Sequence, residues 1–174
     1  MILEGDRVVL RTGNEADRAR LKAISSEPEV ARWWGDLSDE DIGQQFVGSE
    51  TGYVVEVGGE VIGAIQFSEE DDPMYRHAGM DIFLSAASHG RGYGTEAVRV
   101  LARYLIFERD HHRLTIDPAA TNAAAIRVYE KVGFRTVGIM RSYERGPNGA
   151  WRDGLLMDLL REEFVDADAG DTSR

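Results

Sequence analysis

The stretch Ser88-His89-Gly90-Arg91-Gly92-Tyr93-Gly94-Thr95 decides how the rest of the chain is read. Behind it, Val98, Leu101, Ala102, Leu105 and Ile106 recur at the spacing of a helix that buries one stripe. Ahead of it, residues 78–85 alternate Met80, Ile82 and Leu84 against Gly79, Asp81, Phe83 and Ser85, the period of a strand. A strand therefore passes through a glycine-rich turn into a helix. The first backbone N–H groups of such a helix lack intrahelical partners, and its dipole adds roughly half a positive charge there. Glycines let that backbone approach an anion closely, and Arg91 and Thr95 can add side-chain donors. Taken alone, the segment is either a phosphate grip or an ordinary strand-to-helix turn. Two nucleotide loops are excluded by spacing. A P-loop needs Gly-Lys-Ser/Thr, and Gly94-Thr95 has no lysine between its members. A dinucleotide fingerprint needs a third glycine where Thr95 stands, and an early parallel strand-helix-strand unit.

Upstream, residues 7–11 read as a first strand, and Asn14 with Asp17 resembles a capping signal for a helix ending near Ser26. Residues 27–46 read as irregular helical turns. Residues 53–57 and 61–67 are β-rich runs separated by Gly58-Gly59, a short hairpin signal. The acidic run Glu69-Glu70-Asp71-Asp72 before Pro73 marks a loop. Downstream, Leu114-Thr115-Ile116 is a short strand ended by Asp117-Pro118, and Asn122 can cap a helix whose Ile126, Tyr129 and Val132 share a face before Gly133 stops it. Residues 134–139 and 154–160 make the last two strands, around a turn-rich stretch with Gly146-Pro147-Asn148-Gly149.

The chain has 174 residues, 43% hydrophobic and 29% charged, which fits one domain over residues 1–165 and a polar tail at 166–174. No apolar run approaches the ~18 residues of a membrane span, and residues 1–6 lack the basic and apolar regions of a signal peptide, so a cytoplasmic protein is expected. The absence of cysteine removes disulfides, thiolate metal sites and thiol nucleophiles together. A formal charge of −11 disfavours a nucleic-acid partner and would attract a cationic substrate, although acidity also serves plain solubility.

The strand at 79–85, the loop His89-x-x-Gly92-x-Gly94 and the later Asn122-x-x-Ala125-Ile126-x-x-Tyr129-Glu130-Lys131-x-Gly133-Phe134 resemble the GNAT superfamily of acyl-CoA N-acyltransferases. The first loop position, commonly arginine or glutamine in that family, is His89. The resemblance implies an α/β fold of α+β layered type, a mixed and mostly antiparallel sheet of about seven strands with flanking helices. Its fourth and fifth strands splay apart, so that the pantetheine arm of acetyl-CoA pairs with the backbone of Ile82, Phe83 and Leu84. Its pyrophosphate would rest on His89, Gly90, Arg91, Gly92, Gly94 and Thr95, with Asn122 completing the cofactor site, and a strand N–H would polarise the thioester carbonyl.

The Ala31-Arg32-Trp33-Trp34-Gly35 run, Gly79-Met80-Asp81 and Thr115-Ile116-Asp117-Pro118 are similar to the aminoglycoside 6'-N-acetyltransferases. Carried over, Asp81 matches the general base and Tyr129 the general acid. Trp34 matches a wall of the sugar pocket, Asp117 a carboxylate holding substrate amines, and Glu144 lies near a further one. The implied substrate is a cationic small-molecule amine, an aminoglycoside, with no metal, nucleic acid or membrane involved. Such an amine is protonated at neutral pH and must lose a proton before it attacks a thioester, so a carboxylate belongs beside it.

Each residue has a plainer reading as well. Asp81 can be a hydrogen-bonded structural carboxylate, Tyr129 core, Asp117 a turn former before proline, and Trp33 and Trp34 packing. The Glu69 to Asp72 run can be a solvated loop, although it is placed where substrate carboxylates can lie. His77 has a more suitable reference pKa than Asp81, yet it stands about 13 Å away at ~3.3 Å per residue, so both cannot touch one amine. His111-His112 has no metal-ligand partner set. Two other functions remain open, an acetyltransferase of protein N-terminal amines like the ribosomal-protein type and a non-catalytic acyl-CoA-binding module.

Overall fold

Strand-forming residues of period two build the frame of the computed structural model, which describes residues 1–166. The polar tail set apart at 166–174 lies outside the described residues from 167 onward. The strands are Ile2–Glu4 (β1), Val8–Thr12 (β2), Gly52–Val57 (β3), Glu60–Glu70 (β4), His77–Leu84 (β5), Arg113–Ile116 (β6), Arg135–Arg145 (β7) and Trp151–Leu160 (β8). They form one sheet of eight strands in the order β1-β2-β3-β4-β5-β6-β8-β7. All neighbours run antiparallel except β5 and β6, so the expected mixed sheet is present with β1 as one strand more than the expected set. At three residues β1 is too short to show a period.

Helices cover both faces. Tyr93–Phe107 (α4) and Ala123–Val132 (α5) lie on one, where Val98, Leu101, Ala102, Leu105 and Ile106 are fully buried as their spacing required. Arg18–Ser25 (α1), Pro28–Trp34 (α2) and Asp39–Phe46 (α3) cover the other, packing Leu21, Ile24, Ile42 and Phe46 on Val54, Ala64 and Phe83. The expectation of irregular turns over 27–46 is thus corrected to two helices. Pro28 starts α2 with its φ already set, and Ser38 and Asp41 close a reciprocal capping box on α3. Gly58 and Gly59, at φ 59 and 86, make the two-residue hairpin turn between β3 and β4.

The acidic run is also corrected. Glu69 and Glu70 extend β4 instead of looping. Glu69 meets Arg109 Nη2 at 2.5 Å and the fully buried His111 Nε2 at 2.6 Å, and the Arg109 hydrogen bond in particular holds its carboxyl below the usual range. Its place as a candidate substrate carboxylate is withdrawn. The last hairpin is longer than expected in both strands at its turn end, since β7 runs on to Arg145 and β8 begins at Trp151. Among the described residues no helix is long and apolar enough to cross a membrane.

Candidate active site

The site begins where two strands part. β5 and β6 are paired only at Ala78–Leu114 and Gly79–Thr115, so the chain from Met80 to Leu84 leaves its β6 side open. Antiparallel alternation against β4 gives Phe83 and Ser85 to the ladder and turns the amide and carbonyl of Ile82 and Leu84 into the opening. A cavity of about 1140 Å³ fills this wedge and is lined by both halves of the expected site.

At one end stands the glycine turn. Gly90 and Gly92 have φ 72 and 84, left-handed values that other residues adopt only under strain, and a Cβ on Gly92 would come within 3.2 Å of Arg7 Nη2. Gly92 caps α4, and Glu96 N is the first helical amide to close a bond, onto Gly92 O. The amides of Tyr93, Gly94 and Thr95 therefore face out of the helix end. Arg7 fixes the turn by donating to Arg91 O at 3.1 Å, pairing with Glu96 at 2.9 Å and stacking over Tyr93. Asn122 lines the same end while its side chain accepts from Ala125 N at 3.2 Å, capping α5. Arg127 and Lys131, one turn apart on α5, also line the cavity, and Lys131 borders a smaller cleft with Gly92 and Thr95.

Two of the expected cofactor residues take unexpected positions. The Arg91 side chain is not among the groups lining the cavity. His89 does line it, but its Nε2 donates to Leu84 O at 2.9 Å and its amide to Ala86 O at 3.1 Å. Its ring is thus turned back on β5.

At the other end the wall is acidic. Asp81 shares a strand face with Phe83, whose ring meets that of Trp34 edge-on at 5.0 Å. Trp34 Nε1 donates to Ile82 O at 3.2 Å, and Ile82 N donates to Asp81 Oδ1 at 3.0 Å. Water can reach Asp81 through the cavity mouth, yet protein crowds it on the remaining sides. This loss of hydration, with repulsion from Asp117 and then Glu144, pushes its carboxyl up to about 7 against the Ile82 hydrogen bond. Asp117, also raised by burial, accepts from Tyr143 Oη at 2.6 Å, and that hydroxyl is in turn pushed up to about 12 chiefly by this bond. Glu144 is held by Arg152 Nε at 2.8 Å, while the same guanidinium donates to Arg32 O and Trp33 O and lies over the Trp33 ring.

Tyr129, on the buried face of α5, reaches the cavity wall with no hydrogen-bond partner for its hydroxyl among the described residues. Burial, then Asp81 and Asp117, raise its hydroxyl far above the phenol range, so it stays protonated. Asp81, Tyr129, Asp117, Trp34 and Glu144 are therefore brought to one cavity with Ile82, Phe83, Leu84, His89, Gly90, Gly92, Gly94, Thr95 and Asn122. His77 is not on that wall, and its Nδ1 lies 2.8 Å from Tyr75 O. Among the described residues no group of His, Asp and Glu could hold a metal ion.

The residues missed in the sequence are Tyr143, Arg152, Arg127 and Lys131. The last two carried a signal, four-residue spacing on the helix behind Asn122. Tyr143 had none, because a register shift between Met140 and Glu144, with Ser142 at φ 47, aims it at Asp117.

A family model described as an acetyltransferase (GNAT) domain matches residues 7–135. An aminoglycoside N(6')-acetyltransferase type 1 of Klebsiella pneumoniae is 33% identical over 155 residues, 76% of each chain. A spermidine N(1)-acetyltransferase of Escherichia coli K12 is 26% identical over 169 residues, 91% of this chain and 88% of the other. The solved structure of AAC(6')-Ib in complex with paromomycin and acetyl-CoA superimposes with a TM-score of 0.75 at 28% identity, over 95% of this chain and all of that one.

Proposed function

The chain belongs to the GNAT acetyltransferase family, and on that premise we propose that residues 1–165 act as one domain that transfers acetyl from acetyl-CoA to a primary amine of a polycationic small molecule. The amine we assign is the 6'-amine of an aminoglycoside, in the cytoplasm. The observation that carries this reading is the polarity of the cavity, with helix-end amides, Arg127 and Lys131 at one end and Asp81, Asp117 and Glu144 at the other. The first end suits a pyrophosphate and the second suits several ammonium groups on one molecule.

Bound acetyl-CoA supplies an electrophilic thioester carbonyl and a thiolate leaving group. The residues of the chain do the rest. Asp81, with its carboxyl near 7, accepts a proton from the substrate ammonium so that the nitrogen lone pair can attack. Asp117 and Glu144 hold neighbouring ammonium groups, and Trp34 forms a flat apolar wall for the sugar ring. When Asp81 turns to the ammonium, the Ile82 amide it had held is released toward the opening, where it can polarise a carbonyl. Attack leaves the nitrogen with one proton still to lose. Tyr129, held protonated, passes its hydroxyl hydrogen to the departing sulfur as that second proton replaces it, so coenzyme A leaves as the thiol, the amide forms, and Asp81 releases the first proton to solvent. Bringing two substrates into one wedge supplies much of the acceleration.

The spermidine acetyltransferase relative makes a linear polyamine the second reading, since it too is a polycation with primary amines. A panel of kanamycin, tobramycin, spermidine and an N-terminal peptide, incubated with acetyl-CoA and analysed by mass spectrometry, separates the readings. We expect a singly acetylated aminoglycoside modified at the 6'-amine. Acetylation of spermidine or peptide alone would reassign the substrate.

A further inference from the structure

The open edge of β5 presents four backbone groups to the wedge, the amides and carbonyls of Ile82 and Leu84. Three are engaged by side chains of the chain itself. Ile82 N donates to Asp81, Ile82 O accepts from Trp34 Nε1, and Leu84 O accepts from His89 Nε2 at 2.9 Å. Only the last of these partners stands at the donor end, one residue from Gly90, and it is joined to the glycine turn by a single backbone step. Because a carbonyl can only accept, the His89 ring carries its hydrogen on Nε2.

The arm of an acyl-CoA contains secondary amides, and an extended amide chain beside an open strand edge pairs with it as an added strand would, N–H to C=O and C=O to N–H. At Leu84 such pairing needs both the amide and the carbonyl. The His89 ring occupies that carbonyl and the space in front of it. We propose that His89 is a latch on the acyl-donor groove: its ring covers Leu84 O and must leave it when an amide N–H of the donor arm takes that acceptor. This rests on the reading of the cavity as an acyl-CoA site. It makes His89 a positioning residue whose contact opposes donor binding, the reverse of the phosphate-gripping role its place in the glycine motif implies.

The two roles predict opposite signs. Calorimetry on the full chain with coenzyme A and with adenosine 3',5'-bisphosphate, which has no arm, reads the difference. His89→Ala removes the competing donor, so coenzyme A should bind about two- to tenfold more tightly than to the unsubstituted protein, the equivalent of one hydrogen bond, while the bisphosphate binds equally to both. In the unsubstituted protein, the 15N and 13C resonances of the His89 ring should move on adding coenzyme A and stay in place with the bisphosphate. That second measurement holds even if the variant folds poorly. Equal or weaker coenzyme A binding by His89→Ala, or a ring whose resonances ignore coenzyme A, overturns the latch while leaving the acyl-CoA site intact. If neither ligand binds the unsubstituted protein, the acyl-CoA reading falls and the latch with it.

Discussion

The two ends of the cavity are built in different ways. The donor end is mostly backbone: left-handed glycines, the amides of Tyr93, Gly94 and Thr95, and the helix start capped by Asn122, with the Arg127 and Lys131 side chains on that same helix, all within two short continuous segments. The acceptor end is side chains gathered from α2, β5, the end of β6, β7 and β8, where Trp34, Asp81, Asp117, Glu144 and Arg152 meet across up to 120 residues. A backbone site needs small residues at fixed offsets and tolerates little change. A side-chain site can be re-aimed by one bulge, as at Ser142, and this is where a family sharing one donor can diverge in its acceptor.

Substitutions that act at one end and spare the other test this contrast. The largest effect should come from Asp81→Asn, which keeps the shape and removes the proposed base. Turnover should fall by about 10²–10⁴-fold while coenzyme A affinity, measured by calorimetry, stays within about twofold. Gly92→Val forces a β-branched residue to φ 84 and should act at the donor end, costing roughly 1–2 kcal/mol of stability in a denaturant titration and raising the KM for acetyl-CoA. Asp117→Asn should raise the amine KM about tenfold, as expected for a lost charge-assisted contact, without altering the KM for acetyl-CoA. Because Asp117 helps raise the Asp81 carboxyl, the same variant should move the acid limb of activity to lower pH.

A separate effect is on the pH dependence of stability. The Asp81 carboxyl is raised from 3.8 to about 7 on folding, so the folded state holds its proton more tightly. That favours the folded state below the unfolded value and is lost as pH rises through about 7. The amide introduced by Asp81→Asn cannot ionise, so the Tm of that variant relative to the unsubstituted protein should climb between about pH 4 and 7 and then level off. A flat difference would mean that Asp81 is not desolvated in the way its surroundings require.

The same contrast explains what the sequence makes legible. The donor end is readable because its chemistry resides in local offsets: Gly90, Gly92 and Gly94 against the buried stripe from Val98 to Ile106, and Asn122 ahead of Tyr129. Placing Asp81 and Asp117 at the acceptor end required the resemblance, and the structure then brought them to one wall. Tyr143 and Arg152 were not legible, because their value depends on a register shift and on carbonyls at the end of α2 that no local pattern encodes. The acidic run misled for a related reason: Glu69 looks like loop until Arg109 and His111, some forty residues on, come to meet it.

Everything proposed for the acceptor end turns on Asp81 being the base for acetyl transfer to a polycationic amine. The decisive experiment is thiol release from acetyl-CoA with tobramycin as a function of pH. We expect kcat/KM to rise with pH through a midpoint about 7, the value to which Asp81 is raised, and that limb to be abolished in Asp81→Asn. An unchanged limb and undiminished turnover in Asp81→Asn, or no thiol release with any amine, would refute the assignment.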